Sequence, residues 1–230
     1  MQPGRLTLLL IPALGALSVR PAAAQDFNAD GRPDLAVGVP YEDGGADMSG
    51  TVHVFYGEPG GFLTAANHQI WSQGTTGLGE TPEAGDRFGY ALAWGDINAD
   101  GYDDLAIGIP GEDYASYANA GAVAVLYGYT RSGLTAIGNQ FWTDTSIRAG
   151  DHFGLNLAGG GAGDGSFLAI SSPNRDVGAA VDAGAVTVLY GDGYVNGLVP
   201  DGRQVWTQNS PGIGDACESY DLFGFGRYGG

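Results

Sequence analysis

Short apolar runs bounded by glycine recur along the chain. Residues 51–56, 122–127 and 185–190 are β-branched or aromatic runs, each opened by a glycine and closed by a Tyr-Gly pair. Such runs predict strands. Upstream of each lies a shorter apolar run that ends in proline. These are Ala36-Val37-Gly38-Val39-Pro40, Ala106-Ile107-Gly108-Ile109-Pro110 and the looser Ala169-Ile170-Ser171-Ser172-Pro173. Their small residues predict close approach to a neighbouring backbone. Downstream, segments such as Gln69-Ile70-Trp71 and Gln140-Phe141-Trp142 predict a third strand, and the Phe-Gly segments predict a fourth.

These landmarks keep one order in three repeats. Asp86-Arg87-Phe88-Gly89, Asp151-His152-Phe153-Gly154 and Asp221-Leu222-Phe223-Gly224 are spaced by 65 and 70 residues. Trp71, Trp142 and Trp206 follow each Tyr-Gly. Four short strands per repeat predict an all-β fold, a β-propeller of four-stranded blades with about three blades present. A parallel β-helix has shorter coils and lacks these hairpin turns. The expected boundaries are about 26–85, 86–150 and 151–220, with 221–230 starting a further blade. About three blades read as a partial propeller or as half of a closed dimeric ring.

Composition agrees with this pattern. The 42 glycines and 11 prolines argue against long helices. The formal charge of −17 argues against nucleic acid or anionic lipid as partner and favours cations. Residues 1–24 read as a signal peptide: Arg5, an apolar stretch over 6–19, and the small-residue site Ala22-Ala23-Ala24. No later stretch is apolar enough to span a membrane. The expected product, 25–230, is secreted, at the cell surface or periplasmic. Its single cysteine, Cys217, has no partner in the chain.

The most specific chemical motif occurs twice. Asp26, Asn28, Asp30 and Asp34 occupy positions 1, 3, 5 and 9 of a nine-residue loop, and Asp96, Asn98, Asp100 and Asp104 repeat them. Gly31 and Gly101 permit the sharp turn at position 6, and the carbonyls of Arg32 and Tyr102 at position 7 face inward. Oxygen donors on alternate residues suit Ca²⁺, which takes about six to eight oxygens. Two Ca²⁺ sites are predicted. EF-hands carry the same pattern before a helix, whereas here a strand run follows. In the third repeat Gly160 stands in place of Asp96 and only Asp164-Gly165 survives, so no metal is expected there.

The Phe-Gly and Gly-x-Pro landmarks resemble the FG-GAP repeat of the integrin alpha-chain propeller and its secreted microbial relatives. The resemblance covers essentially all of 26–230. It implies a propeller, commonly of seven blades, with calcium loops between the first two strands of some blades. It also implies adhesion or binding rather than catalysis, with ligand-binding loops on the face opposite the calcium loops.

Catalytic motifs of the nucleophile-elbow, P-loop and dinucleotide type are absent from the sequence. Glu42-Asp43 and Glu112-Asp113 are candidate acid–base pairs, read here as solvated or ligand-contacting loops. Tyr41, Tyr114 and Tyr117 are candidate recognition residues. The preferred reading is a secreted calcium-binding module that recognises protein or carbohydrate and is not an enzyme, with self-association as one way to complete the propeller. Two others stay open: an extracellular hydrolase or lyase, or an accessory module of one, and a truncated structural fragment.

Overall fold

A computed structural model describes residues 25–130, 132–146, 148–160, 165–193 and 197–226. The expected signal peptide and residues 161–164 of the third loop lie outside them. The described residues form eleven strands and no α-helix.

The strands make three antiparallel sheets, one per repeat. Blade 1 holds β1 (Leu35–Val39), β2 (Thr51–Glu58) and β3 (Phe62–Trp71). Blade 2 holds β4 (Leu92–Gly95), β5 (Asp104–Ile109), β6 (Ala122–Tyr129) and β7 (Gly133–Trp142). Blade 3 holds β8 (Leu157–Gly160), β9 (Phe167–Ser172), β10 (Ala185–Gly191) and β11 (Leu198–Trp206). Strands adjacent in sequence are adjacent in each sheet, as in a β-propeller. Blade 1 has three strands, but Gln25 bridges Asp34 just as Gly95 pairs with Asp104 in blade 2.

The period-two pattern explains how blades stack. In β6, Ala122, Ala124 and Leu126 pack with Val52 and Val54 of blade 1. Val123, Val125 and Tyr127 pack with Leu168 and Ile170 of blade 3. Both faces are covered, so β6 reads as a continuous apolar run. Each fully buried aliphatic side chain contributes roughly 1.5–3 kcal/mol.

The Phe-Gly landmark is a turn, which corrects the expectation that it forms the fourth strand. That strand begins three residues after the glycine, at Leu92 and Leu157. The turn instead latches successive blades together. Phe88 is fully buried, its N–H donates to Ser49 O at 2.8 Å, and Gly89 N–H donates forward to Gly108 O at 3.1 Å. Phe153 and Phe223 make the equivalent backward bonds to Ala120 and Ala183. The predicted close approach lies here: a Cβ on Gly38 would sit 2.0 Å from Gly89 O, and one on Gly108 2.1 Å from Gly154 O.

The outer strand of every blade carries an irregularity at one place. Register shifts between Val54 and Tyr56, Val125 and Tyr127, and Val188 and Tyr190. Four residues of the outer strand, 65–68 in blade 1, then oppose a single residue. Just past the bulge come Gln69, Gln140 and Gln204, and the first two bridge to the next blade.

Candidate metal centre

The two loops, 26–34 and 96–104, share one hydrogen-bond scheme. Asp26 Oδ1 accepts from Asp30 N–H at 3.0 Å and its Oδ2 from Gly31 N–H at 3.0 Å. Asp96 accepts from Asp100 and Gly101 in the same way, at 3.0 and 3.1 Å. Asn28 and Asn98 each accept from the N–H two residues on, as do Asp30 and Asp100. Gly31 and Gly101 adopt left-handed φ values of 82° and 93°, as position 6 requires. Ala29 and Ala99 are also left-handed, at 50° and 62°, which their residue type does not announce.

Position 9 ties each loop to its blade. Asp34 accepts from Phe27 N–H at 2.8 Å and Gly57 N–H at 2.9 Å. Asp104 accepts from Ile97 N–H at 2.8 Å, Asn98 N–H at 3.1 Å and Gly128 N–H at 2.9 Å. The residue at position 2 is the anchor, since Phe27 and Ile97 are buried in the two inter-blade cores.

Burial dominates the electrostatics. Asp104 is fully buried, and desolvation pushes its carboxyl up to about 8 despite three N–H donors. Asp34 is pushed up to about 6 by the same cause, and Asp96 is raised too. The loops differ at position 7: the Arg32 guanidinium pairs with Asp30 at 2.8 Å, while Tyr102 takes that place in the second loop. The loops touch, with Asp26 N–H donating to Asp103 Oδ2 at 2.9 Å and Asp103 N–H to Asp26 O at 3.2 Å.

Among the described residues, no three acidic, histidine or cysteine side chains converge to hold a metal ion. Asp26, Asn28, Asp30 and Asp34 come together within one loop, as do their counterparts, but their oxygens turn to N–H groups of the loop and, at position 9, of Gly57 or Gly128. The donor set nevertheless fits a hard cation. It holds three carboxylates and an amide oxygen per loop, and burial deprives Asp34 of the first loop and Asp96 and Asp104 of the second of water. An open cleft of about 430 Å³ lined by Asn28, Ala29, Asp30 and Arg32 gives an ion access to the first loop.

The candidate recognition residues lie at the other end of the strands. The loop 96–104 precedes β5 and the Tyr114–Tyr117 hairpin follows it. Tyr41, Tyr114 and Tyr117 are exposed, and Arg87 lies over the Tyr41 ring at 6.0 Å. Glu42 and Asp43 are exposed as expected. Glu112 is not: it is 4% exposed, inside the junction of blades 1 and 2, which corrects its reading as a solvated loop acid.

Two sets of junction residues were missed in the sequence. Gln73 Nε2 donates to Glu112 Oε2 at 2.5 Å in the first junction, and Arg175 pairs with Asp144 in the second. Gln69, with Tyr56, holds Leu134 of the next blade, and Gln140 likewise holds Leu198. A signal was present, because a glutamine stands two residues before the Trp in every repeat.

A family profile described as FG-GAP repeat matches residues 19–55 and 88–126. The phosphatidylinositol-glycan-specific phospholipase D of Rattus norvegicus is 35% identical over 172 residues, 73% of this chain and 20% of that protein. Integrin alpha-IIb of Mus musculus is 34% identical over 60% of this chain and 13% of its own. Integrin alpha pat-2 of Caenorhabditis elegans is 31% identical over 73% and 14%. The chain thus spans about a fifth or less of each of these relatives. No helix among the described residues is long and apolar enough to cross a membrane.

Proposed function

Because the chain is an FG-GAP repeat protein, we propose that it is an exported recognition module braced by two Ca²⁺ ions, one in each of the loops 26–34 and 96–104. The observation that carries this reading is the pair of matching loops with buried carboxylates at position 9. A divalent cation beside Asp34 and Asp104 favours their charged form, which burial alone opposes. It also fixes nine residues whose conformation otherwise rests on N–H donors alone. The similarity to integrin alpha chains supports recognition as the role, and the exposed tyrosines at the opposite strand ends supply a surface for protein or carbohydrate.

A thermal melt in calcium and in chelator tests the metal. We expect the midpoint to rise by several degrees in millimolar Ca²⁺; an unchanged midpoint contradicts the reading. A glycan and extracellular-protein array tests recognition. Binding that survives Tyr41→Ala, Tyr114→Ala and Tyr117→Ala together would move the site away from this end.

A further inference from the structure

The two outer faces of the three-blade array differ from every inner face. Leu35 and Val37 are 39% and 38% exposed, whereas Leu105, Ile107, Leu168 and Ile170 at the same repeat positions are fully buried. Leu63 is 45% exposed, against 3% for Leu134 and 1% for Leu198. On the far side, Val186, Val188 and Tyr190 of β10 are half-buried, whereas Val52, Val54, Val123 and Val125 are fully buried. Side chains that meet a preceding blade are thus exposed in blade 1, and those that meet a following blade are only half-buried in blade 3.

The polar latches are left open in the same sense. Tyr190 O–H donates to Gln204 Oε1 at 3.2 Å, arranged as Tyr56 and Gln69 are where they hold Leu134. Gln208, two residues after Trp206, stands where Gln73 does, and its buried Oε1 has no hydrogen-bond partner among the described residues. Glu42, two residues after Pro40, stands where Glu112 does, and it is exposed.

We propose that the outgoing face of blade 3 docks on the incoming face of blade 1 of a second copy, and the reverse, so that two copies close one ring. The occupant is a second copy because these faces repeat the two surfaces that already fit each other twice within the chain. Gln204 would take Leu63 as Gln69 takes Leu134, and Gln208 would take Glu42 as Gln73 takes Glu112. The contact is head-to-tail and closes only at a fitting blade number. The three blades of the described residues in each copy give six for two copies, inside the range of four to eight, while a third copy exceeds it. The inference goes beyond the recognition role and does not depend on calcium.

Light scattering coupled to size exclusion on the full chain, at fixed calcium, tests it. We expect twice the chain mass, and a single-chain mass for Val37→Arg with Leu63→Arg with the strand circular-dichroism spectrum retained and a lower melting midpoint, as loss of the partner requires. A wild-type monomer at tens of micromolar, or open-ended assemblies, overturns the proposal. If the arginine variant fails to fold, cysteine trapping still decides. Glu42→Cys with Gln208→Cys, in a Cys217→Ser background, should oxidise to a disulfide-linked dimer. Chains that stay unlinked or link internally overturn it.

Discussion

The two blade junctions share one frame and invert its charge. Between blades 1 and 2, Gln73 meets Glu112 beside Asp86. Between blades 2 and 3, the same positions hold Asp144 and Arg175 beside Asp151. The second junction pairs its buried charges, while the first collects acids. Burial, then Asp86 and Glu80, push the Glu112 carboxyl up to about 8. Asp151 is pushed up to about 6 by burial, with Arg175 and Arg148 opposing the rise. The repeat therefore prescribes where a buried polar contact sits, not which charges make it.

The largest effect is expected from Arg175→Met. It leaves the Asp144 carboxylate, with a side chain 3% exposed, without its cation and with the Ser146 N–H still donating to it, and should cost about 3–5 kcal/mol in denaturant unfolding. A loss below about 1 kcal/mol would remove the contrast between the junctions.

Glu112→Gln should do the opposite. The folded state holds a proton on Glu112 between its usual 4.5 and about 8, where the unfolded chain is already ionised. Stability therefore falls as pH rises through that window and levels above it. An amide at this position carries no charge and can donate to Gln73 Oε1, which is buried without a partner among the described residues. The variant should gain on the order of 1–2 kcal/mol at pH 8 and little at pH 5. Asp34, Asp86 and Asp104 add slopes of their own, so the difference between variant and wild type is the quantity to plot. Parallel curves would show that Glu112 does not titrate in this window.

A smaller effect separates two tyrosines at matching positions. Tyr56 O–H donates to Gln69 and accepts from Leu134 N–H, whereas the buried Tyr127 hydroxyl has no partner among the described residues. Tyr56→Phe should cost about 1 kcal/mol and Tyr127→Phe close to nothing. Equal losses would erase the distinction.

The strands, their order and the three-fold repeat were legible because both faces of β6 and the bulged hairpins leave local marks. These are apolar runs, bounding glycines and a Trp at fixed distance. The matching conformation of loops 26–34 and 96–104 was legible because alternate oxygens and a position-6 glycine are dictated within nine residues. Glu112 was not, because its burial depends on a blade that packs over it from elsewhere in the chain. The Phe-Gly turn was misread for the same reason. Phe88 reads as a strand residue until Ser49 of the preceding blade claims its N–H. Ala29 and Ala99 in left-handed backbone follow from the loop's closure, not from any preference of alanine.

Calorimetric titration of Ca²⁺ into the chain, beside Asp100→Ala, tests the central claim most directly. Asp100 is exposed, so its loss should leave the fold intact. The account predicts two saturable sites in the wild type, filling at or below the millimolar range of extracellular modules, and one in the variant. No saturable heat in the wild type, or an unchanged isotherm in the variant, would contradict it.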